Sequence, residues 1–234
     1  MRQISEESPE TVALVHYLSR SGCYPIYDKT EVTYFSQGEE KFAALLSQLE
    51  QAKEFIFLEY FIIDQGVMWG KILDLLEQKA KAGVEVRVIY DDMGCVALLP
   101  YRYDKILEQK GIQCIAFNPF VPFWSMVMNH RDHRKMMILD GHTVFSGGVN
   151  LADEYINQKR RFGHWKDTGV KLTGNAVRSL TVTFLELWAA MSKEEMEDVT
   201  PFFSEISYEA SEKCLVQPYA DSPLDEELVG ENVY

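Results

Sequence analysis

Apolar positions recur at two spacings along the chain, and the switch between them divides it into alternating helices and strands. Val12, Val15 and Leu18 lie on one side of a short amphipathic helix over residues 9 to 21. EVTYF (31 to 35) reads as a short strand, and Gly38 leads into an Ala/Leu-rich helix from Glu39 to Lys53. FIFLEYFII (55 to 63) has no polar alternation, which suits a strand covered on both faces. Gly70 to Ala82 is a helix stopped by Gly83, followed by the strand VEVRVIY (84 to 90). The unit then repeats with a helix from Tyr101 to Lys110, a stop at Gly111 and the strand IQCIAF (112 to 117). Strand, helix and strand at these lengths predict right-handed parallel crossovers. Farther on come a short helix at LADEYI, a strand at KDTGVKL (166 to 172) and a helix from Asn175 to about Met191, with Val177, Leu180, Phe184, Leu187 and Trp188 on its apolar stripe. The expected fold class is α/β, a mixed and mainly parallel sheet with helices on both faces.

Between these elements lies NHRDHRKMMILDGHTVFSGGVN (129 to 150), where reactive side chains sit at fixed spacings. His133 and Lys135 are two apart, so on a strand they share a face, roughly 6 to 7 Å from each other. Met136 to Leu139 is apolar throughout, and Asp140-Gly141-His142-Thr143 breaks the run with turn chemistry. With Gly141 and His142 as the two loop residues of a hairpin, His133 falls opposite Asn150 and Lys135 opposite Gly148. Gly147 and Gly148 would leave their backbone amides open to a phosphate. Asp140 has the wrong parity to share a face with His133, so it reads as a structural member of the group.

A neutral imidazole can attack phosphorus while an ammonium and a carboxamide steady the non-bridging oxygens, without a metal or other cofactor. His130, Asp132 and His133 also suggest an HxHxDH zinc pattern, but its first position is Met128, and Lys135 would bring a cation toward a cation site.

The spacing His133-x-Lys135-x4-Asp140-x6-Gly147-Gly148-x-Asn150 resembles the motif of the phospholipase D superfamily at every position. EYFIID (59 to 64), GVEVRVIYDDMG (83 to 94), GGVNLADEY (147 to 155) and WKDTGVKLTG (165 to 174) extend the likeness to the first catalytic half of bacterial cardiolipin synthases, from about residue 10 onward. The resemblance implies a phospholipase D-like fold, catalytic roles for His133, Lys135 and Asp140, and phosphate binding by Gly147, Gly148 and Asn150. By position in the WKDTG block, Asp167 resembles the acidic partner that orients the nucleophilic histidine. Glu59 either faces the pocket from the end of its strand or pairs with Arg87 on the neighbouring one. Asp91 and Asp92 follow a strand end, where open α/β sheets place ligands, or cap a turn. Phe123 and Trp124, in the proline-interrupted run NPFVPFWSMVMN (118 to 129), are either a core excursion or a lipid contact.

The chain has 234 residues and a formal charge of -13, which argues against nucleic acid as a partner. The charge is uneven: residues 186 to 234 carry 2 basic and 13 acidic groups, whereas 101 to 178 carry 12 basic and 7 acidic. A local positive excess suits a phosphate-bearing substrate or an anionic lipid surface. Cys23, Cys95, Cys114 and Cys214 form no metal spacing and read as reduced thiols. No apolar run reaches the length of a membrane span. Because cardiolipin synthases usually carry N-terminal membrane helices, the chain reads as a trimmed or truncated piece or a short variant.

The expected organisation is an N-terminal helix and lead-in (1 to 30), a catalytic half (31 to 191), an acidic linker (192 to 213) and the opening of a second, homologous half (214 to 234). The resemblance implies transfer of a phosphatidyl group between two phosphatidylglycerol molecules at the cytoplasmic face of a bacterial membrane. The family uses two motifs, and a second His-x-Lys-x4-Asp is absent here, so the expected partners are phosphatidylglycerol, an anionic membrane surface, and a second half or a homodimeric copy. A homodimeric phosphodiesterase or nuclease, and an inactive fragment that binds phospholipid head groups, are the alternatives.

Overall fold

The computed structural model describes residues 8–21, 24–119, 131–161, 163–193, 195–203, 214–221 and 229–233. Its strands are β1 (Thr30–Phe35), β2 (Phe55–Tyr60), β3 (Glu85–Asp91), β4 (Gln113–Phe117), β5 (Lys135–Leu139), β6 (Thr143–Gly147) and β7 (Gly169–Gly174). The helices are α1 (Pro9–Ser21), α2 (Gly38–Leu49), α3 (Val67–Lys81), the single turn α4 (Asp92–Cys95), α5 (Tyr103–Glu108), α6 (Val177–Ser192) and α7 (Val229–Val233). One seven-stranded sheet runs in the order β1-β7-β6-β5-β2-β3-β4. Its β2–β3 and β3–β4 pairings are parallel, as the helical crossovers require. The other four are antiparallel, so the sheet is mixed with a smaller parallel share than the crossover pattern predicts. Of these only β5–β6 is joined by a short turn; β1–β7, β6–β7 and β2–β5 bring together strands farther apart along the chain.

Helices cover both faces. Leu45 and Leu49 of α2, Trp69, Ile72 and Leu76 of α3 and Leu107 of α5 pack on Ile56, Leu58, Val86, Val88, Met137 and Phe145. On the other face, Val177, Phe184, Leu185 and Trp188 of α6 pack on Phe57, Ile89, Met136, Ile138 and Val144. Apolar side chains on both sides of β2 and β5 explain why those segments show no alternation.

Several boundaries are set by side chains distant in sequence. Helix α2 stops at Leu49, short of Lys53, because Lys79 Nζ donates to the carbonyls of Glu50 and Ala52 (2.6 and 2.7 Å) and Asp140 takes the next backbone amides. Helix α3 begins three residues before Gly70, since the Asp153 carboxylate accepts the N–H groups of Val67 and Met68 at 2.9 and 2.8 Å. Strand β2 ends at Tyr60 because the Ile62 N–H donates to Asn150 Oδ1 (3.0 Å) and Ile63 bridges to Leu151.

The segment expected to be an acidic linker is partly docked. Helix α6 continues through Ser192, and Phe202 inserts its ring edge-on to Phe55 (centroids 5.2 Å apart) and against Phe57 at 5.3 Å. Arg87, held by Glu85 and Glu197, lies 5.1, 5.3 and 5.4 Å from the rings of Phe57, Trp188 and Phe202. Residues 195–203 therefore extend the core beneath β2 and β3, and Arg87 is committed there rather than to Glu59. The segment around 214–219 also meets the lead-in: Tyr27 and Val216 exchange backbone hydrogen bonds of 2.8 and 2.9 Å, and Gln217 Nε2 donates to the Tyr24 carbonyl at 2.9 Å.

Candidate active site

Strands β2 and β3 end where β5 begins, with Tyr60 opposite Lys135, and β6 ends where β7 begins, with Gly147 opposite Gly169. This end of the sheet gathers the predicted residues, apart from Asp140 and those outside the described segments. His133 lies in the approach to β5 rather than on the strand itself, exposed, with its ring centroid 4.8 Å from that of Phe61. Lys135 opens β5, is only 5% exposed, and sets its ammonium 5.2 Å from the Phe61 ring centre while donating to the His133 carbonyl. Phe61 thus touches both groups, a role that the buried-strand reading of residues 55 to 63 concealed.

Electrostatics favour complementary protonation states. Partial burial and the neighbouring Lys135 charge lower the His133 pKa below its ordinary value, against the pull of Asp132 and Asp91. Burial brings Lys135 down to about 8, although Asp132, Asp167 and Asp91 support its charge. At neutral pH the site therefore offers a neutral imidazole beside an ammonium, which suits attack on phosphorus next to a charge stabiliser.

The loop before β5 is pinned from below. Asp91, fully buried at the end of β3, accepts from the N–H of Gly94 (2.9 Å), the N–H of Asp132 (3.2 Å) and Arg131 Nη1 (3.3 Å). Asp132 Oδ1 accepts both the N–H and the Nε of Arg134 at 3.1 Å. Glu59 does not reach the pocket. It alternates with Leu58 and Tyr60, so it faces the α6 side of the sheet, where its carboxylate lies 2.7 Å from Arg134 Nε. Burial, with Asp132 beside it, holds the Glu59 carboxyl well above the usual carboxylate range.

Three expectations change. The hairpin register is one residue shorter than predicted, pairing Met136 with Ser146 and Leu139 with Thr143. The loop has three residues, Asp140, Gly141 and His142, of which the first two take positive φ (48° and 64°) and the third donates its N–H to the Leu139 carbonyl at 3.2 Å. Asn150 consequently does not lie opposite His133. It is 2% exposed, and its carboxamide accepts from Ile62 N–H and donates to Tyr155 Oη at 2.8 Å, bracing the backbone behind Phe61. Gly148 donates its N–H to the Thr168 carbonyl (3.0 Å), so that amide is not free for phosphate. What Gly148 provides is room: a Cβ there would lie 2.0 Å from Asp167 Oδ1.

Asp140 stands at the opposite end of β5 from His133. Its carboxylate accepts three backbone amides, those of Lys53 (2.9 Å), Glu54 (2.8 Å) and Phe55 (3.0 Å), and so fixes the start of β2. These contacts clamp a distant segment rather than its own turn. Asp167 is half-buried beside Gly148, and its charge bears on Lys135 and Lys41, whereas His133 feels Lys135, Asp132 and Asp91. Phe123, Trp124 and His130 lie outside the described residues. Lys41 of α2 escaped the sequence reading. The available signal was a lysine in the stripe of Gly38, Phe42, Leu45 and Leu49 that faces the sheet. A concavity of about 1000 Å³ around Lys53, Lys79, Asp140, His142 and Phe203 lies at the far end of the sheet, so volume does not locate this site.

The fold is thus a mixed α/β sheet, helix-covered on both faces, with a His-x-Lys-x4-Asp strand whose His-Lys end lies where the parallel strands finish. The chain belongs to the phospholipase D-like family: the model described as "Cardiolipin synthase, PLD-like domain" matches residues 45–188. It is 49% identical over 232 residues to an uncharacterized protein of Streptococcus mutans, covering 99% of this chain and 50% of that protein. To a cardiolipin synthase of Geobacillus thermodenitrificans it is 37% identical over 190 residues, covering 81% of this chain and 38% of the relative. The chain therefore spans half or less of these relatives. Phosphatidylserine synthase of Haemophilus influenzae shares the fold with a TM-score of 0.57 at 14% identity, covering 74% of this chain and 40% of that one.

Proposed function

We propose that this chain is the first catalytic half of a phospholipase D-type phosphatidyltransferase that makes cardiolipin from two phosphatidylglycerol molecules. The observation that carries the reading is the pairing of an exposed His133, biased toward the neutral form, with the sheltered ammonium of Lys135 at the end of the sheet. In this mechanism His133 attacks phosphorus, the phosphorus–oxygen bond to the head-group glycerol breaks, and the alkoxide leaves with a proton from a second histidine. The resulting phosphohistidine is attacked by a hydroxyl of the second phosphatidylglycerol, whose proton returns to that second histidine. Lys135 holds the charge that grows on the non-bridging oxygens.

His133 cannot act on both sides of phosphorus, and none of His16, His130, His142 and His164 begins another complete His-x-Lys-x4-Asp. The second histidine belongs to a second half, of which residues 214 to 234 are the proposed opening, or to a twofold-related copy of this chain. The copy is the second reading, a homodimeric phosphodiesterase. Work at the cytoplasmic face of a bacterial membrane, with Phe123 and Trp124 against lipid, belongs to the first reading. Among the described residues no helix is long and apolar enough to cross a membrane. The test is to incubate the purified chain with phosphatidylglycerol micelles, with and without a separately expressed second half, and to measure cardiolipin and free glycerol. Both products should appear only when the halves are combined. Turnover by a stable monomer would sink the two-motif mechanism.

A further inference from the structure

Helix α2 turns Gly38, Lys41, Phe42, Leu45 and Leu49 toward the sheet, so Lys41 occupies a position that core packing would give to an apolar residue. It is 1% exposed, and its Nζ has no hydrogen-bond partner among the described residues. Burying an ammonium in that condition is costly, whereas a methionine would fill the same stripe without the penalty.

The local backbone makes room for this side chain. A Cβ at Gly169 would lie 2.5 Å from Lys41 Cδ, so glycine at that position lets the lysine stem cross the start of β7. Gly169 pairs with Gly147, and Asp167 fills the space left by the absent Cβ of Gly148. The stem therefore leads to the end of the sheet where Lys135 begins β5. Burial brings Lys41 down to about 8, with Asp167 supporting its charge and Lys135 opposing it, which marks both as its electrostatic neighbours.

We propose that Lys41 is a second cation of the phosphoryl site, a positioning residue one layer behind Lys135 that supplies positive charge for a tetrahedral oxyanion bound between Lys135 and His133. The proposal rests on the phosphodiester reading above and adds a residue to it. Two lysines that repel each other when the site is empty are both stabilised when an anion arrives, so ligand charge and lysine protonation are coupled. A lysine serving only to brace Asp167 would show no such coupling.

The probe is inorganic sulfate, a tetrahedral oxyanion that does not titrate near pH 8, followed by calorimetry on this chain. Sulfate should bind the wild type at least about tenfold more tightly than Lys41→Met, the scale of one sheltered charge interaction, with Lys41→Arg restoring most of the difference. Lys41→Met binding as tightly as the wild type, while Lys135→Met has lost affinity, would overturn the role of Lys41 and leave the site reading intact. No loss in Lys135→Met either, or no saturable binding by the wild type, would overturn both. A second measurement compares proton linkage. Titration at pH 8 in buffers of different ionisation enthalpy should show proton uptake on sulfate binding, as the anion recharges the lysines, and Lys41→Met should take up measurably less than the wild type. Equal uptake by the two proteins would overturn the proposal.

Discussion

Replacing Asp140 should damage the fold far more than replacing His133, although both belong to one sequence motif. The Asp140 carboxylate accepts three amides at 2.8 to 3.0 Å, from residues 53, 54 and 55. A hydrogen bond to a charged group contributes about 1.5 to 3 kcal/mol where water cannot replace it. Only the Phe55 amide is partly buried, so the other two recover much of their bonding from water after truncation. Asp140 also sits at φ 48°, where alanine pays about 1 kcal/mol more than aspartate or glycine. Asp140→Ala should therefore cost about 3 kcal/mol, and for a chain of this size the melting temperature should fall by about 6 to 12 °C. Asp140→Gly keeps the backbone geometry, loses only the hydrogen bonds, and separates the two contributions. The assay is urea unfolding followed by circular dichroism, with His133→Asn alongside; the exposed His133 should change stability by less than about 0.5 kcal/mol. An unchanged urea midpoint in Asp140→Ala would refute the clamp and return Asp140 to the chemistry.

In a catalytically competent assembly, kcat/KM should fall on the acid side at a pH below 6.5, as His133 takes up a proton, and on the basic side near 8, as Lys135 loses one; a flat profile from 7 to 9 would remove Lys135 from the mechanism. Turnover should survive excess EDTA, because a phosphohistidine route needs no Lewis acid, and an inactivation reversed by zinc would favour the metallohydrolase alternative. Lys41 has a folded pKa of about 8 against 10.5 unfolded, so the unfolded state binds more protons between those values and stability rises with pH across that window. Lys41→Met should remove that penalty, raising stability at pH 7 by up to about 3 kcal/mol and reducing the rise toward pH 10 in urea titrations. Phe202→Ala should cost about 3 kcal/mol, since the ring packs on Phe55 and Phe57 beneath Arg87; a cost near zero would return residues 195–203 to a linker.

Local patterns along the chain determine the alternation of helices and strands, because burial on one face or both leaves a periodic trace within each segment. The same locality explains why His133, Lys135 and Asp140 stand out: a strand and a turn fix their relative placement within eight residues. The off-face position of Asp140 was also visible, since parity is a property of the strand alone. Everything that depends on a partner distant in sequence was decided by the tertiary structure. The three-residue hairpin, with Asp140 held to residues 53 to 55, has a register that places Asn150 away from His133. Glu59 and Arg87, two positions apart in register on neighbouring strands, take separate partners because Arg134 and Glu197 come from segments that only the folded chain brings near them. The place of Lys41 depends on glycines at 148 and 169, more than a hundred residues away, whose missing side chains are read in one dimension only as turn signals. A side chain's charge is set by its neighbours in space, and the sequence orders neighbours only along the backbone.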